Sequence, residues 1–204
     1  MLLYLFKKAL NAKYIHTNNG VDYALEKEGE TIYILFECSD SLGDWAKNFN
    51  FVAKPYKKMN QTWRCHKGFA DAYSSVKEDI VEYVKEFIFH GKVSNIVCVG
   101  YSQGAALALL CMEDMQYCLG GIFNVQGFGF GTPRVIWGTV PKEVKKRLNR
   151  FVSVINIDDI VTHSPPKILG YRDVGKVLKI GKKGKYNRFE AHFPESYQEE
   201  LKEL

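Results

Sequence analysis

The chain has 204 residues, of which 46% are hydrophobic and 25% charged, and its formal net charge is +5. This length is enough to bury a substantial core in one domain, and the composition is ordinary for a globular enzyme. No nucleic-acid-binding motif accompanies the basic excess, and no apolar run is long enough to cross a bilayer. We therefore expect a soluble protein without a nucleic-acid partner.

Cysteine usage and the first residues predict the compartment. Five cysteines occur, with no Cys-x-x-Cys pair and no Cys/His spacing typical of zinc sites. Reduced thiols of this kind suit the cytosol. At the start of the chain, Lys7 and Lys8 follow a very short apolar run, which is the reverse of a signal peptide. We therefore expect a cytoplasmic protein that at most contacts lipid surfaces peripherally.

Hydrophobic periodicity predicts strands and helices that alternate along the chain. The predicted strands cover residues 31–36, 62–65, 96–99, 123–130 and 151–157. The predicted helices cover residues 1–16, 70–90, the segment after Gly104, and 142–148. Residues 174–180 and 185–189 predict a hairpin. This alternation is typical of an α/β fold with a mostly parallel central sheet flanked by helices.

Much of the positive charge lies late in the chain, within and after the predicted hairpin. The residues are Lys176, Lys179, Lys182, Lys183, Lys185 and Arg188. We interpret them as the solvated face of that hairpin. The alternative is a weak attraction to anionic membrane or lipid surfaces.

A candidate nucleophile follows the predicted strand 96–99. The sequence Gly100-Tyr101-Ser102-Gln103-Gly104 ends this strand and opens an Ala/Leu-rich segment. A Gly-x-Ser-x-Gly pattern between a strand and a helix is typical of a nucleophile elbow, in which the serine lies on a strained turn. The two flanking glycines are needed because side chains there would make the strand and helix collide. The alternative is a structural Gly/Ser turn.

A serine hydroxyl needs a base, and the base needs a carboxylate that orients it. In hydrolases with this elbow, the acid and then the histidine follow the serine along the chain. Asp158 and Asp159 follow the predicted strand 151–157, and His163 and His192 come after them. From chain order alone, either aspartate remains a candidate, and so does either histidine. His192 is favoured because His163 lies only four residues after Asp159, in a loop stiffened by Pro165-Pro166, and has little freedom to turn toward Ser102.

Several ordered segments resemble one known family. They are Phe36 to Trp45, His66-Lys67-Gly68-Phe69, the elbow, Gly131-Thr132-Pro133-Arg134-Val135, Asp159-Ile160-Val161 with Pro165-Pro166, and His192-Phe193-Pro194-Glu195. Together they resemble the fungal-type class 3 lipase family of the α/β-hydrolases over roughly residues 30–197. The resemblance implies an α/β-hydrolase fold with a short lid segment, as one domain over residues 1–204.

The resemblance also implies site residues. It selects Asp159 rather than Asp158 as the acid, so the implied triad is Ser102, Asp159 and His192. It implies an oxyanion hole formed by the backbone N–H of Gln103 and by Ser39.

The same resemblance implies a lid over residues 41–51. If this segment is helical, Leu42, Trp45 and Phe49 share one apolar face that could shield the site or meet lipid. The sequence departs from the family at Glu37-Cys38, where Arg-Gly is usual, so a negative charge stands where a positive one is usual.

The expected function is the hydrolysis of carboxylic esters of lipids, with acylglycerols as the first substrate class, through an acyl-enzyme at Ser102. No metal or cofactor is expected. A phospholipase A1 and a short-chain carboxylesterase are the enzymatic alternatives, and a catalytically silent hydrolase-fold binding protein is the non-enzymatic one. The expected partners are a lipid ester and, transiently, a lipid interface. The sequence predicts no oligomeric state.

Overall fold

Strands and helices alternate along most of the chain. A computed structural model describes residues 1–38, 51–58 and 61–204. Within these residues the α-helices are α1 (Leu2–Asn11), α2 (Lys67–His90), α3 (Gln103–Leu119), α4 (Lys142–Leu148) and α5 (Pro194–Lys202). The strands are β1 (Tyr23–Glu28), β2 (Thr31–Phe36), β3 (Ala53–Lys58), β4 (Gln61–His66), β5 (Asn95–Tyr101), β6 (Asn124–Phe130), β7 (Ile136–Trp137), β8 (Phe151–Asn156), β9 (Tyr171–Arg172) and β10 (Lys176–Ile180).

The larger sheet has the strand order β1-β2-β5-β6-β8-β10. Strand β1 pairs antiparallel with β2, and every other neighbouring pair in this sheet is parallel. The predicted mostly parallel α/β sheet is thereby confirmed. Because parallel strands end at the same edge, the segments after β5, β6 and β8 meet at the carboxyl edge of this sheet.

Helices cover both faces of the larger sheet. Alternate side chains of a strand point to opposite faces, so Ile34 and Leu35 of β2 belong to two different apolar clusters. One cluster lies under α2 and α3, and the other lies under α1 and α5. Strands buried on both faces explain the nearly continuous apolar runs that predicted β2 and β5.

A smaller antiparallel sheet has the strand order β3-β4-β7-β9. Only residues 62–65 of its strands are predicted from the sequence. A buried charged cluster connects this sheet to α3, because Lys58 at the end of β3 pairs with Glu113 and Asp114. Burial alone would raise the pKa of Asp114, but the charges of Lys58 and Lys77 hold this pKa below its usual value. The cluster therefore keeps Asp114 ionised inside the protein.

Two predictions of local structure are wrong. The helix predicted over residues 1–16 ends at Asn11, since Ala12 is extended and Ile15 forms an isolated bridge with Tyr23. The predicted hairpin does not form. Strand β10 instead pairs in parallel with β8, because this places Leu178 and Ile180 in the cluster under α1 and α5. Residues 185–189 form bends and turns, in which Lys185 pairs with acidic residues of α5.

The junction between β5 and α3 requires two glycines. A Cβ at Gly100 would lie 2.2 Å from the Gly104 backbone, and a Cβ at Gly104 would lie 2.4 Å from the carbonyl oxygen of Phe36. Such distances are far shorter than van der Waals contact, and the obstructing atoms are backbone atoms that cannot rotate away. The Gly-x-Ser-x-Gly spacing is therefore a packing requirement of the fold.

We expect Gly100→Ala to lower the free energy of unfolding by about 2 kcal/mol or more, because the added methyl group overpacks the junction. Gly121→Ala is the matched control, since a Cβ there meets no atom within 4 Å. Its effect should stay within about 0.5 kcal/mol. Urea unfolding of both variants measures the difference, and equal midpoints would contradict the packing argument.

Candidate active site

The nucleophile candidate lies in a strained turn. Ser102 has φ 54° and ψ −122°, and among the described residues it is the one non-glycine with a positive φ. Its N–H donates to the carbonyl oxygen of Phe130 at 2.8 Å, which ties the turn to the neighbouring strand β6. Such a conformation costs on the order of 1–3 kcal/mol and persists only where surrounding structure enforces it. The turn directs the hydroxyl group toward His192, in the segment that precedes α5.

A histidine and an aspartate complete a continuous hydrogen-bonded chain. His192 Nε2 lies 2.8 Å from Ser102 Oγ, and His192 Nδ1 lies 2.7 Å from Asp159 Oδ2. The three residues are almost fully buried, with exposed fractions of 1%, 2% and 0% for Ser102, His192 and Asp159. With Nδ1–H donating to the carboxylate, Nε2 is free to accept the serine proton. This arrangement can therefore activate the hydroxyl group as a nucleophile.

The imidazole of His192 is held by Tyr101 as well. The two rings stack with centroids 5.2 Å apart and planes inclined by 22°. The hydroxyl group of Tyr101 donates to the carbonyl oxygen of His192. Tyr101 thus restrains both the ring and the backbone of the histidine, although it lies beside the nucleophile in sequence.

Asp159 is oriented by two further donors. Its Oδ1 accepts the N–H of Val161 at 2.8 Å, and its Oδ2 accepts the hydroxyl group of Tyr197 at 2.6 Å. The Tyr197 oxygen in turn accepts the N–H of Asn156 at 3.0 Å. Burial, together with the nearby charge of Asp159, raises the pKa of Tyr197 well above 10. Tyr197 therefore stays protonated and donates across the neutral range.

The alternative acid and base are engaged elsewhere. Asp158 Oδ2 accepts the N–H of Gly184 at 2.7 Å. His163 is exposed, and its Nδ1 lies 2.9 Å from the carbonyl oxygen of Asp159. The structure thus brings together Ser102, Asp159 and His192, and it places Asp158 and His163 outside this chain of hydrogen bonds.

Two further supports of the site, Gly131 and Tyr197, were not predicted from the sequence. Gly131 has φ +61°, and a Cβ there would lie 2.8 Å from His192 Cε1 and 3.2 Å from Asp159 Oδ2. The Gly131-Thr132-Pro133-Arg134-Val135 motif contained a signal for this close approach. Tyr197 carries no comparable signal, because the polar sequence of α5 gave no reason to expect a buried tyrosine there.

The oxyanion and lid predictions meet the structure only in part. Gln103 is the first residue of α3, where backbone N–H groups have no intrahelical partner, and it directly follows Ser102. Its N–H is therefore available beside the nucleophile. Ser39, Leu42, Trp45 and Phe49 lie outside the described residues.

One group of potential metal ligands occurs within the described ranges. His16, Asp22 and Glu37 place their ligand atoms within 4.8 Å of one another. His16 is exposed, and its Nδ1 contacts Asp22. Clusters of exposed acidic groups commonly form without a metal ion, so we assign this group no metal.

The sequence model described as "Lipase (class 3)" matches residues 33–169, a range that contains Ser102 and Asp159. The chain belongs to the class 3 lipase family. His192 lies beyond the matched range and is joined to this family pattern by its contacts with both residues.

Fungal lipases are among the similar proteins. A lipase of Rhizomucor miehei is 31% identical over 149 residues, which cover 72% of this chain and 41% of the relative. Secreted mono- and diacylglycerol lipase LIP1 of Malassezia globosa is 34% identical over 107 residues, or 52% of this chain and 34% of the relative. This class 3 lipase family member therefore spans less than half the length of these curated relatives.

A solved structure shares the fold. The triacylglyceride lipase of Rhizomucor miehei superposes with a TM-score of 0.71 at 26% identity, covering 84% of this chain and 66% of that one. The α/β-hydrolase fold expected from the sequence is thereby confirmed.

The comparisons correct the expected location. The Malassezia relatives are named as secreted enzymes, so they point to an extracellular rather than a cytoplasmic protein. The prediction from thiols and from the first residues is therefore wrong. Separately, none of the helices in the described ranges has the length and apolar character needed to span a membrane.

The two neighbouring aspartates provide a direct test of the hydrogen-bonded chain. We expect Asp159→Asn to slow the reaction of Ser102 with a fluorophosphonate by about a thousandfold or more, because the amide stabilises the wrong histidine tautomer. Asp158→Asn is the matched control and should react almost like the parent protein. Intact-protein mass spectrometry measures the labelling rate of each variant. Slower labelling of Asp158→Asn than of Asp159→Asn would contradict the assignment of Asp159 as the acid.

Tyr197→Phe should slow this labelling by about tenfold and lower the free energy of unfolding by roughly 1–2 kcal/mol, because buried Asp159 and Asn156 each lose a hydrogen bond. Tyr186→Phe removes hydrogen bonds to Glu199 and Glu200, neither of which contacts the triad, and serves as the control. If both variants label at the parent rate, Tyr197 does not position the acid.

Proposed function

We propose that this protein is a serine hydrolase that cleaves carboxylic esters of lipids, with acylglycerols as the first substrate class. The observation that carries the proposal is the buried chain from Ser102 through His192 to Asp159 on a class 3 lipase fold. The names of the relatives, which include mono- and diacylglycerol lipases, support this substrate class.

The proposed reaction has two halves. Ser102 Oγ attacks the ester carbonyl carbon while His192 Nε2 accepts the hydroxyl proton, and the resulting imidazolium is stabilised by Asp159. The tetrahedral intermediate then expels the alcohol, which takes the proton from His192, and an acyl-serine remains. In the second half, His192 accepts a proton from water as the water attacks the acyl carbon. The fatty acid leaves, and Ser102 recovers its proton.

The developing oxyanion needs hydrogen-bond donors. We assign one to the backbone N–H of Gln103, which lies at the start of α3 where the helix dipole favours negative charge. The second donor is Ser39, which we retain on the family resemblance alone. The carboxyl end of β2 lies against the start of α3 at Phe36, so the chain that leads to Ser39 begins beside the nucleophile.

Contact with a lipid interface belongs to the same proposal. Exposed Phe193 directly follows His192, so an apolar side chain lies on the surface next to the site. Segment 41–51, with Leu42, Trp45 and Phe49, is the proposed lid, and its position after Ser39 supports that role. The secreted relatives favour action outside the cell.

Ester hydrolysis by purified variants tests this function. On a panel of esters of graded chain length, Ser102→Ala and His192→Ala should lose turnover by roughly four to six orders of magnitude, because each removes a reacting group. His163→Ala is the control and should retain most of the activity. His163 is exposed, and its contact with the acid is to the backbone carbonyl oxygen of Asp159 rather than to the carboxylate.

The results of this ester panel separate the candidate functions. Hydrolysis of long-chain acylglycerols that requires Ser102 supports the lipase. Activity confined to water-soluble short esters would indicate an esterase instead. A protein that neither hydrolyses any ester nor reacts with a fluorophosphonate would be the silent binding protein, and the proposed function would be abandoned.

A further inference from the structure

The basic segment late in the chain divides into paired and unpaired cations. Lys185 lies 2.9 Å from Glu199 and 2.6 Å from Glu200 on α5. Lys179, Lys183 and Arg188 instead line a cavity of about 470 Å³, together with Ile157 and Ile160. Across residues 1–38, 51–58 and 61–204, none of these three cations has a salt-bridge partner. This cavity therefore carries an uncompensated positive charge.

The acidic residue of this first cavity does not neutralise the three cations. Asp158 also lines it, but one oxygen of this carboxylate accepts the N–H of Gly184. Three cations thus face one carboxylate that is already hydrogen-bonded. An anion placed among them would gain charge-assisted hydrogen bonds.

A second cavity, of about 430 Å³, lies over the edge of the larger sheet. Ser153 and Ile155 of β8 line it beside Val177 and Lys179 of β10, which are their register partners. Helix α3 packs on β5 and β6, and this leaves Val177 with an exposed fraction of 44%. The cavity exists because the edge strand extends beyond the helix that covers its neighbours.

The walls of this second cavity are largely apolar. Apolar side chains in it include Leu109, Pro133, Val135, Ile155, Val174 and Val177. Of its cations, Arg134 and Lys167 both pair with Asp173, at 2.6 and 2.5 Å. Two cations of this cavity, Arg172 and Lys179, have no salt-bridge partner among the described residues. Arg172 donates to the backbone carbonyl oxygens of Lys167 and Tyr171, whereas Lys179 lies at the side shared with the first cavity.

The two cavities share His163 and Lys179, and we call them together the amphipathic groove. The segment after Asp159 and the segment before His192 both line the groove, through Ile160 and Arg188. The N–H of Ile160 donates to the carbonyl oxygen of Arg188 at 3.2 Å and joins the two segments. Ser102 does not line either cavity. The groove is thus a separate site that adjoins the catalytic loops.

We propose that the amphipathic groove binds a single-chain lipid anion, with its carboxylate at Lys179, Lys183 and Arg188 and its chain along the sheet face beside Val177. Each cavity falls within the range of small-molecule sites, roughly 300–1,000 Å³. A concave apolar section suits one chain better than a flat bilayer surface. A fatty-acid anion fits this description and is also the acid product of the proposed reaction; only that link to the product rests on the proposed function.

Calorimetric titration of the Ser102→Ala protein with decanoate, below its micellar concentration, tests this site. Lys179→Gln/Lys183→Gln/Arg188→Gln in that background should weaken decanoate binding by about tenfold or more, because charge-assisted hydrogen bonds are lost. Binding of uncharged decanol should change little. Val177→Gln should weaken both ligands, because it makes the apolar section polar.

The control removes equal charge from α4. Lys142, Lys145 and Lys146 are exposed on α4, which precedes the amino end of β8. Lys142→Gln/Lys145→Gln/Lys146→Gln should leave decanoate affinity within about twofold of the parent, since distant surface charges are screened. Equal losses in the two triple variants would reduce the effect to net charge and overturn the proposal. Thermal unfolding confirms that each variant is folded.

Occupying the active site distinguishes the groove from an acyl-binding site. Protein labelled at Ser102 with a long-chain alkyl fluorophosphonate should still bind decanoate with the parent affinity, whereas loss of binding would place decanoate in the active site and overturn the proposal. If the fluorophosphonate does not label Ser102, the proposed function fails. The decanoate affinities of the two triple variants, measured on unlabelled protein, still show whether the groove binds the anion.

Vesicles separate a lipid ligand from a lipid surface. Sedimentation with phosphatidylcholine vesicles, with and without phosphatidylglycerol, measures attraction to an anionic membrane. If the triple groove variant loses only this vesicle binding and keeps its decanoate affinity, the cations serve a membrane surface and the groove proposal is wrong.

Discussion

The close approach of β5 to α3 is the constraint on which the rest of the site depends. Gly100 and Gly104 allow two backbones to meet where any side chain would collide. The chain must therefore reverse within a few residues, and Ser102 takes a positive φ that only its surroundings can enforce. Once this turn is formed, the hydroxyl group projects at the carboxyl edge of the sheet, beside the segments that follow β6 and β8.

Burial then makes the polar chain behind Ser102 interdependent. His192, Asp159 and Tyr197 are withdrawn from water, so each must find its partner inside the protein or lose the solvation free energy of its polar group. The hydrogen bond from Tyr197 to Asp159 joins α5 to the segment after β8, and the stacking of Tyr101 on His192 joins the segment before α5 to the nucleophile turn. The same contacts thus stabilise the end of the chain and set the histidine geometry.

The groove shows how a sheet edge can acquire a second role. Helix α3 covers the centre of the larger sheet, while β10 lies at its edge with Val177 and Lys179 exposed. The loops that hold Asp159 and His192 close one side of this uncovered face. A ligand bound there would contact the backbone that supports Asp159 and His192, although Ser102 itself lies outside the groove.

The sequence by itself determined the elements whose signals are local. The apolar run Thr31–Phe36 is the strand β2, Lys142–Leu148 is the helix α4, and the spacing of Gly100, Ser102 and Gly104 reports a steric requirement within five residues. Tertiary structure decided what depends on distant partners. Asp158 and Asp159 are equivalent by chain order, and only the fold aims one carboxylate at His192 and gives the other to Gly184. Strand β10 carries the same pattern as half of a hairpin, but it pairs with β8, which places Leu178 and Ile180 in the cluster under α1 and α5. Such long-range pairing leaves no mark in the local sequence.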